Sequence, residues 1–331
     1  MQEGARYPPA MARVRLRILL EEEQRTFAPG EEVRGRVRVE VDEDCTCRGV
    51  DVLLGWEASG DANRHTWEGG ALRVGGGEWR KGQRHEVPFA IPIPAGPPTY
   101  DGRDLRIAWK VRAAADLSFA FDSADEAFVT VRPPPPAGGG TLVAKEESGC
   151  FEAGCATVSV LFVLGVAVAW FLFGRVHIWL AVVAFLVLLW CLFIVPQALS
   201  FRSAGKVRVE VGPSPCLAGE EMAVRVSFRP REDLAPNGLR ARLEGVEKRR
   251  KGSGKHKKTV ETVLATVESR LKGPERIPAG TDAVYAGILE VPSDAAPSFE
   301  AGPHAVVWRV KVFLDLPGLA DLEVDQEVTV G

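Results

Sequence analysis

The chain has 331 residues, 46% of them apolar and 26% charged, with a formal net charge of -3. That length accommodates two domains or one large one, and the near-neutral balance supplies no global field for nucleic acid. With 34 Gly and 23 Pro, and no amphipathic helical pattern outside the middle, the composition favours short strands joined by turns.

Residues 1–11 form a polar tail with no basic region followed by an apolar core, so no signal peptide is expected there. A first β domain is expected over 12–132. Val33-Arg-Gly-Arg-Val37-Arg-Val39-Glu-Val41 and Leu105-Arg-Ile107-Ala-Trp109-Lys-Val111 alternate strictly, the mark of half-buried antiparallel strands. Gly75 to Gly77 and Pro92 to Pro98 supply turns between them. Residues 133–152 read as a linker, stiff at Pro133 to Pro136 and flexible at Gly138 to Gly140.

From Ala153 to Gly174 no residue is charged, a run whose helical length of roughly 33 Å would cross a hydrocarbon core of about 30 Å. A second uncharged run follows from Ile178 to Phe201. The expectation is a two-helix transmembrane hairpin, 153–174 and 178–201. Arg132, Lys145, Arg202, Lys206 and Arg208 flank its domain side, against Arg175 alone in the connection. By the positive-inside rule, this predicts a two-span protein of the cell membrane with both β domains cytoplasmic.

A second β domain is expected over 205–331, because the chain repeats itself. Pro29-Gly30-Glu31-Glu32 returns as Ala218-Gly219-Glu220-Glu221. Tyr100, Trp109, Asp116 and Val131 return as Phe299, Trp308, Asp315 and Val330, each offset by 199. Two units of this size mean two similar domains rather than a solenoid. Trp109 and Trp308 occupy equivalent places on alternating strands and read as core residues. The expected fold class is therefore mainly β, two antiparallel β-sandwich domains of arrestin/immunoglobulin-like type plus the transmembrane hairpin.

The run Phe27-Ala-Pro29-Gly30-Glu31-Glu-Val33 resembles the first strand pair of the arrestin family. Pro88-Phe89-Ala-Ile91-Pro-Ile-Pro94, Pro98-Thr99-Tyr100-Asp-Gly102 and Ile107-Ala-Trp109-Lys-Val111 are similar to that family's most characteristic segment. The likeness covers most of the first domain and, more weakly, the second. It extends to bacterial sporulation-control relatives and retromer-type sorting subunits, which share the fold. It implies a two-sandwich layout and says little of function, since fold alone carries no activity. A hairpin between the domains departs from the arrestin pattern, and no residues match that family's phosphate-sensing charged cluster.

The sharpest local feature is basic: Lys248, Arg249, Arg250, Lys251, Lys255, Lys257 and Lys258 fall within eleven residues. Their expected place is a hairpin tip in the second domain, and their expected contact is anionic lipid or an acidic partner. The bland alternative is a solvated tip. Gly252-Ser-Gly254-Lys255 lacks the spacing of a phosphate-binding loop, and no interleaved aromatic supports stacking on nucleic acid. Pro97-Pro98-Thr99-Tyr100 matches the pattern that WW domains read, yet lies inside the fold motif and reads as a turn.

No catalytic, cofactor or metal site is expected. His65, His85, His177, His256 and His304 lie in separate segments. Cys45, Cys47, Cys150, Cys155, Cys191 and Cys216 form no CxxC pair, and free thiols are expected in a reducing compartment. The functional expectation is a membrane-anchored, arrestin-like adaptor or scaffold that binds protein partners without catalysis. The competing expectation is a structural or envelope protein with its sandwiches outside the cytoplasm.

Overall fold

The computed structural model describes residues 14–21, 25–60, 63–118, 123–134, 140–147, 200, 203–252, 254–318 and 321–331. It divides the chain into two compact units. The first comprises Met1–Pro135, Val246–Leu264 and Pro297–Val306; the second comprises Pro136–Gly245, Ala265–Ala296 and Val307–Gly331.

The first unit begins with β1 (Val14–Leu20), β2 (Thr26–Phe27), β3 (Glu32–Val41), β4 (Cys45–Gly60) and β5 (His65–Val74). It continues with β6 (Gly77–Trp79), β7 (Arg84–Pro92), β8 (Tyr100–Asp101), β9 (Leu105–Leu117) and β10 (Ser123–Val131). One sheet has the order β1-β3-β7; the other runs β2-β10-β9-β4-β5, with β6 on β4 and β8 on β9. The alternation in the sequence becomes the packing: Val33, Val37 and Val39 of β3 are buried with Ile107, Trp109 and Val111 of β9. Each such side chain contributes about 1.5–3 kcal/mol by leaving water.

The remaining elements are β11 (Thr141–Glu147), β12 (Val207–Ser214), β13 (Glu221–Phe228), β14 (Gly238–Lys251), the 3-10 helix η1 (Gly254–His256) and β15 (Lys258–Lys272). After them come β16 (Ala283–Glu290), β17 (Phe299–Ala301), β18 (His304–Asp315) and β19 (Leu322–Val328). One sheet has the order β11-β12-β13-β16, and the other β15-β14-β18-β17 with β19 on β18. Strand β11 lies within the Pro/Gly-rich stretch 133–152 and pairs antiparallel with β12. Met222, Val224, Val226, Leu243, Trp308, Val310 and Val312 are buried.

The sequence repeat has a physical basis in one turn, made twice. Glu31 N–H donates to Ala28 O at 3.1 Å, and Glu220 N–H donates to Leu217 O at 3.1 Å. Gly30 and Gly219 sit at φ 89° and 83°, the third position of a type II turn, where a Cβ is penalised. The glutamate closing each turn reaches back: Ala28 N–H donates to Glu31 Oε2 at 2.7 Å, and Leu217 N–H to Glu220 Oε2 at 2.9 Å. The two tryptophans are equally matched. Trp109 Nε1 donates to Pro97 O at 2.9 Å and Trp308 Nε1 to Ala296 O at 2.8 Å.

The described residues are mainly strand, but the hairpin part of the expected fold class is corrected. Among the described residues no helix is long and apolar enough to cross a membrane. The two-helix transmembrane hairpin, the two-span membrane location and the cytoplasmic placement drawn from it therefore find no support. Its residues 153–199 lie outside the described ones. The physical reason is that an apolar run records only solvent preference. A span also requires an unbroken helix in which every backbone polar group is satisfied.

Candidate functional site

The basic run lies in the first unit, where β14 ends and β15 begins. Lys248 to Lys251 close β14, Lys255 belongs to η1, Lys257 follows it, and Lys258 opens β15. Arg250, Lys251, Lys255, Lys257 and Lys258 are exposed, and Lys248 is half-buried, 4.0 Å from Glu261 across the hairpin. Arg249 differs: its side chain is only 7% exposed and its Nη2 lies 2.9 Å from Asp104 Oδ2. Six basic residues are thus gathered at or near the surface of one hairpin, and the seventh is used inside.

The root of the hairpin carries a hydrogen-bonded polar network. Thr262 Oγ1 accepts from Arg249 Nη2 at 3.1 Å and donates to Asp104 Oδ2 at 3.0 Å. Glu247, fully buried, accepts from the Tyr100 hydroxyl at 3.0 Å and from Asp104 N–H at 3.1 Å. A buried carboxylate is tolerated only with such donors. Burial, and after it the Glu247 charge, push the Tyr100 phenol above its ordinary value, so it stays protonated and donates.

A second group clamps the hairpin backbone. Asn63 N–H donates to Arg250 O at 3.0 Å, and Asn63 Nδ2 donates to Gly252 O at 2.5 Å. Arg250 N–H donates to His304 Nδ1 at 3.3 Å, while His304 Nε2 lies 2.9 Å from Asn63 O. These partners fit a neutral ring protonated on Nε2, which donates to Asn63 O. Burial holds the His304 ring below its ordinary value, in the same direction.

The arrangement presents fixed positive charge. Among the described residues no three His, Cys, Asp or Glu side chains gather as a metal site. Cys45, Cys47 and Cys216 are buried; Cys150, Cys155 and Cys191 lie outside the described residues. Burial raises the Cys47 and Cys216 thiols above their ordinary values, the opposite of an activated nucleophile. The Pro97 to Tyr100 turn is bound into the fold. Pro97 O accepts from Trp109, Thr99 Oγ1 accepts from Val131 N–H at 2.8 Å, and Tyr100 is engaged by Glu247.

Sequence pattern singles out the lysines and arginines but none of their supports. Asp104, Glu247, Thr262, Asn63 and His304 come together across separations of up to 241 residues, and no local spacing signals them. In the structure the alternation breaks from Leu243 to Glu247, five successive buried residues on β14.

Residues 17–153 match the family model of the SpoOM protein. The matched stretch contains Asn63, Tyr100 and Asp104 and stops before the basic run. No curated protein matches the chain.

Proposed function

We propose that the chain is a non-catalytic adaptor of the arrestin-like, sporulation-control kind, which docks an acidic segment of a protein partner on the tip of the β14–β15 hairpin. The observation that carries this reading is the division of labour within the basic run. Arg249 is drawn inward to Asp104 and, with Asn63 and His304, holds the root. Arg250, Lys251, Lys255, Lys257 and Lys258 are left exposed on the structure so held. A mounted cationic surface loses less freedom on binding than a loose loop, which favours recognition. The SpoOM match and the paired sheets support the arrestin-like part of the reading.

The test is fluorescence anisotropy with a labelled oligoglutamate peptide and the full chain. Changing Arg250, Lys251, Lys255, Lys257 and Lys258 together to Gln should weaken binding by about tenfold or more. Added salt should weaken the parent's binding and leave the variant's little changed. Equal binding by parent and variant would sink the reading. Binding to phosphatidylserine vesicles but not to oligoglutamate would replace it with a lipid contact.

A further inference from the structure

Strand β16 ends the sheet β11-β12-β13-β16, paired along its whole length with β13 from Ala283↔Phe228 to Glu290↔Glu221. No strand among the described residues pairs with its other side. Open edges invite a further strand, and proteins ordinarily guard them with prolines or charged side chains. The other long edge strands carry such guards within their spans: Arg17 in β1, Arg73 in β5, Pro88 in β7, Lys145 in β11, Glu268 in β15 and Asp325 in β19. Between Ala283 and Leu289, β16 carries no proline and no charge.

The strand is firmly seated. Ala283 and Leu289 are buried, Tyr285 donates to Glu275 Oε2 at 2.9 Å, and the Leu271 side chain fills the space beside Gly287. Its other row faces water. Val284 is 49% and Ile288 53% exposed, with Ala286 between them. This is an apolar stripe on an open edge whose charges, Glu290 and the flanking Asp282, stand only at its ends.

The ends of the strand indicate what can lie there. Glu290 stands directly opposite Glu221 on β13, both exposed, with no ion pair to either among the described residues. Like charges in cross-strand register destabilise each other. The opposite end carries Asp282, 3.9 Å from Arg229, so the unpaired acidic charge is gathered at the Glu290 end. Parallel pairing of a second copy of β16 would set Glu290 against Glu290, and in antiparallel pairing the second copy's Asp282 end brings Arg229 already engaged by Asp282, so neither relieves the Glu290–Glu221 repulsion as a free cation would.

We infer that β16 is a docking edge for an extended segment of a partner protein, with apolar residues at alternate positions and Arg or Lys at its N-terminal end. Backbone hydrogen bonds to the open edge supply affinity, and the row Val284-Ala286-Ile288 receives the alternate side chains. In antiparallel addition the partner's N-terminal cation lies beside Glu290 and Glu221, offsetting their repulsion. This surface is separate from the basic hairpin tip and selects the opposite charge.

The probes are two labelled ten-residue peptides of alternating valine and threonine, one with an N-terminal arginine and one with glutamate there. Anisotropy with the full chain should show the arginine peptide binding at least about fivefold more tightly. Ile288→Lys, on an exposed position, should weaken that binding by a similar factor. Glu290→Arg should remove or reverse the preference between peptides. Circular dichroism and thermal melting matching the parent would show that both variants fold. Equal binding of the two peptides, no binding of either, or insensitivity to both substitutions would overturn the inference. So would a parent that sediments as a dimer which Ile288→Lys dissociates, because the occupant would then be a second copy. Both peptides are measured also with the full chain carrying the five hairpin Gln substitutions, where the preference for the arginine peptide should persist, so this inference and the adaptor reading fail separately.

Discussion

Arg249 and Asp104 meet at 2.9 Å, a cation withdrawn from a surface basic run into an interior pair with a carboxylate 145 residues earlier. The pair is completed by Thr262, which contacts both partners. Arg249 is 7% exposed and Asp104 27%, so removing the carboxylate leaves a buried cation poorly compensated. Asp104→Asn should cost about 3 kcal/mol in urea unfolding. Arg249→Gln should cost a similar amount, and the double variant clearly less than their sum. Strict additivity would mean that the two groups do not act on each other.

The exposed members of the same run should behave differently. Arg250→Gln, Lys255→Gln, Lys257→Gln and Lys258→Gln should each change the unfolding free energy in urea by no more than about 0.5 kcal/mol, as is usual for surface positions. If one of them destabilised the chain as much as Arg249→Gln, the division between a structural root and a presented tip would be mistaken.

His304 predicts an acid-side loss of stability. Its folded value lies below the ordinary 6.5, with burial the largest cause and the nearby His65 and Arg250 acting in the same direction. The unfolded chain therefore binds a proton more readily than the folded one. The stabilising contribution is complete above pH 6.5 and is lost as pH falls through the window below it. Melting temperature should fall between pH 7.5 and 5.5, and fall less in His304→Gln, whose side chain does not titrate. Parallel pH profiles for the two proteins would refute this.

The repeated turn predicts matched penalties in the two halves. Gly30→Ala and Gly219→Ala place a Cβ at φ 89° and 83°, each costing about 1–2 kcal/mol. Glu31→Ala and Glu220→Ala each remove the carboxylate that accepts from the residue opening the turn, at about 1 kcal/mol. Denaturation midpoints of the four variants check both pairs. A marked effect in one half alone would show that the turn has different weight in the two copies.

Whatever depends on neighbours in the chain was readable from residues alone. The alternation of Val33 to Val41 is the strand β3 with one buried face. The doubled Gly-Glu signature is a turn closed by its own glutamate, complete within four residues. Trp109 and Trp308 are buried, with matched hydrogen bonds, because each stands on the inward row of an alternating strand. The basic run was equally visible, since charge is a property of composition.

Only the tertiary structure decided which of those charges are presented and which are consumed. Along β14 both faces are covered near Gly245-Val246-Glu247, so alternation no longer tells inward from outward. Whether Arg249 faces water or Asp104 then depends on a carboxylate brought near by the fold. The open edge of β16 is of the same kind, because pairing is a relation between distant strands. Residues 153–199 lie outside the described ones, and hydropathy alone does not decide a span there: it scores each residue's preference for oil over water, while a membrane span depends on a continuous backbone hydrogen-bond pattern that no residue carries alone.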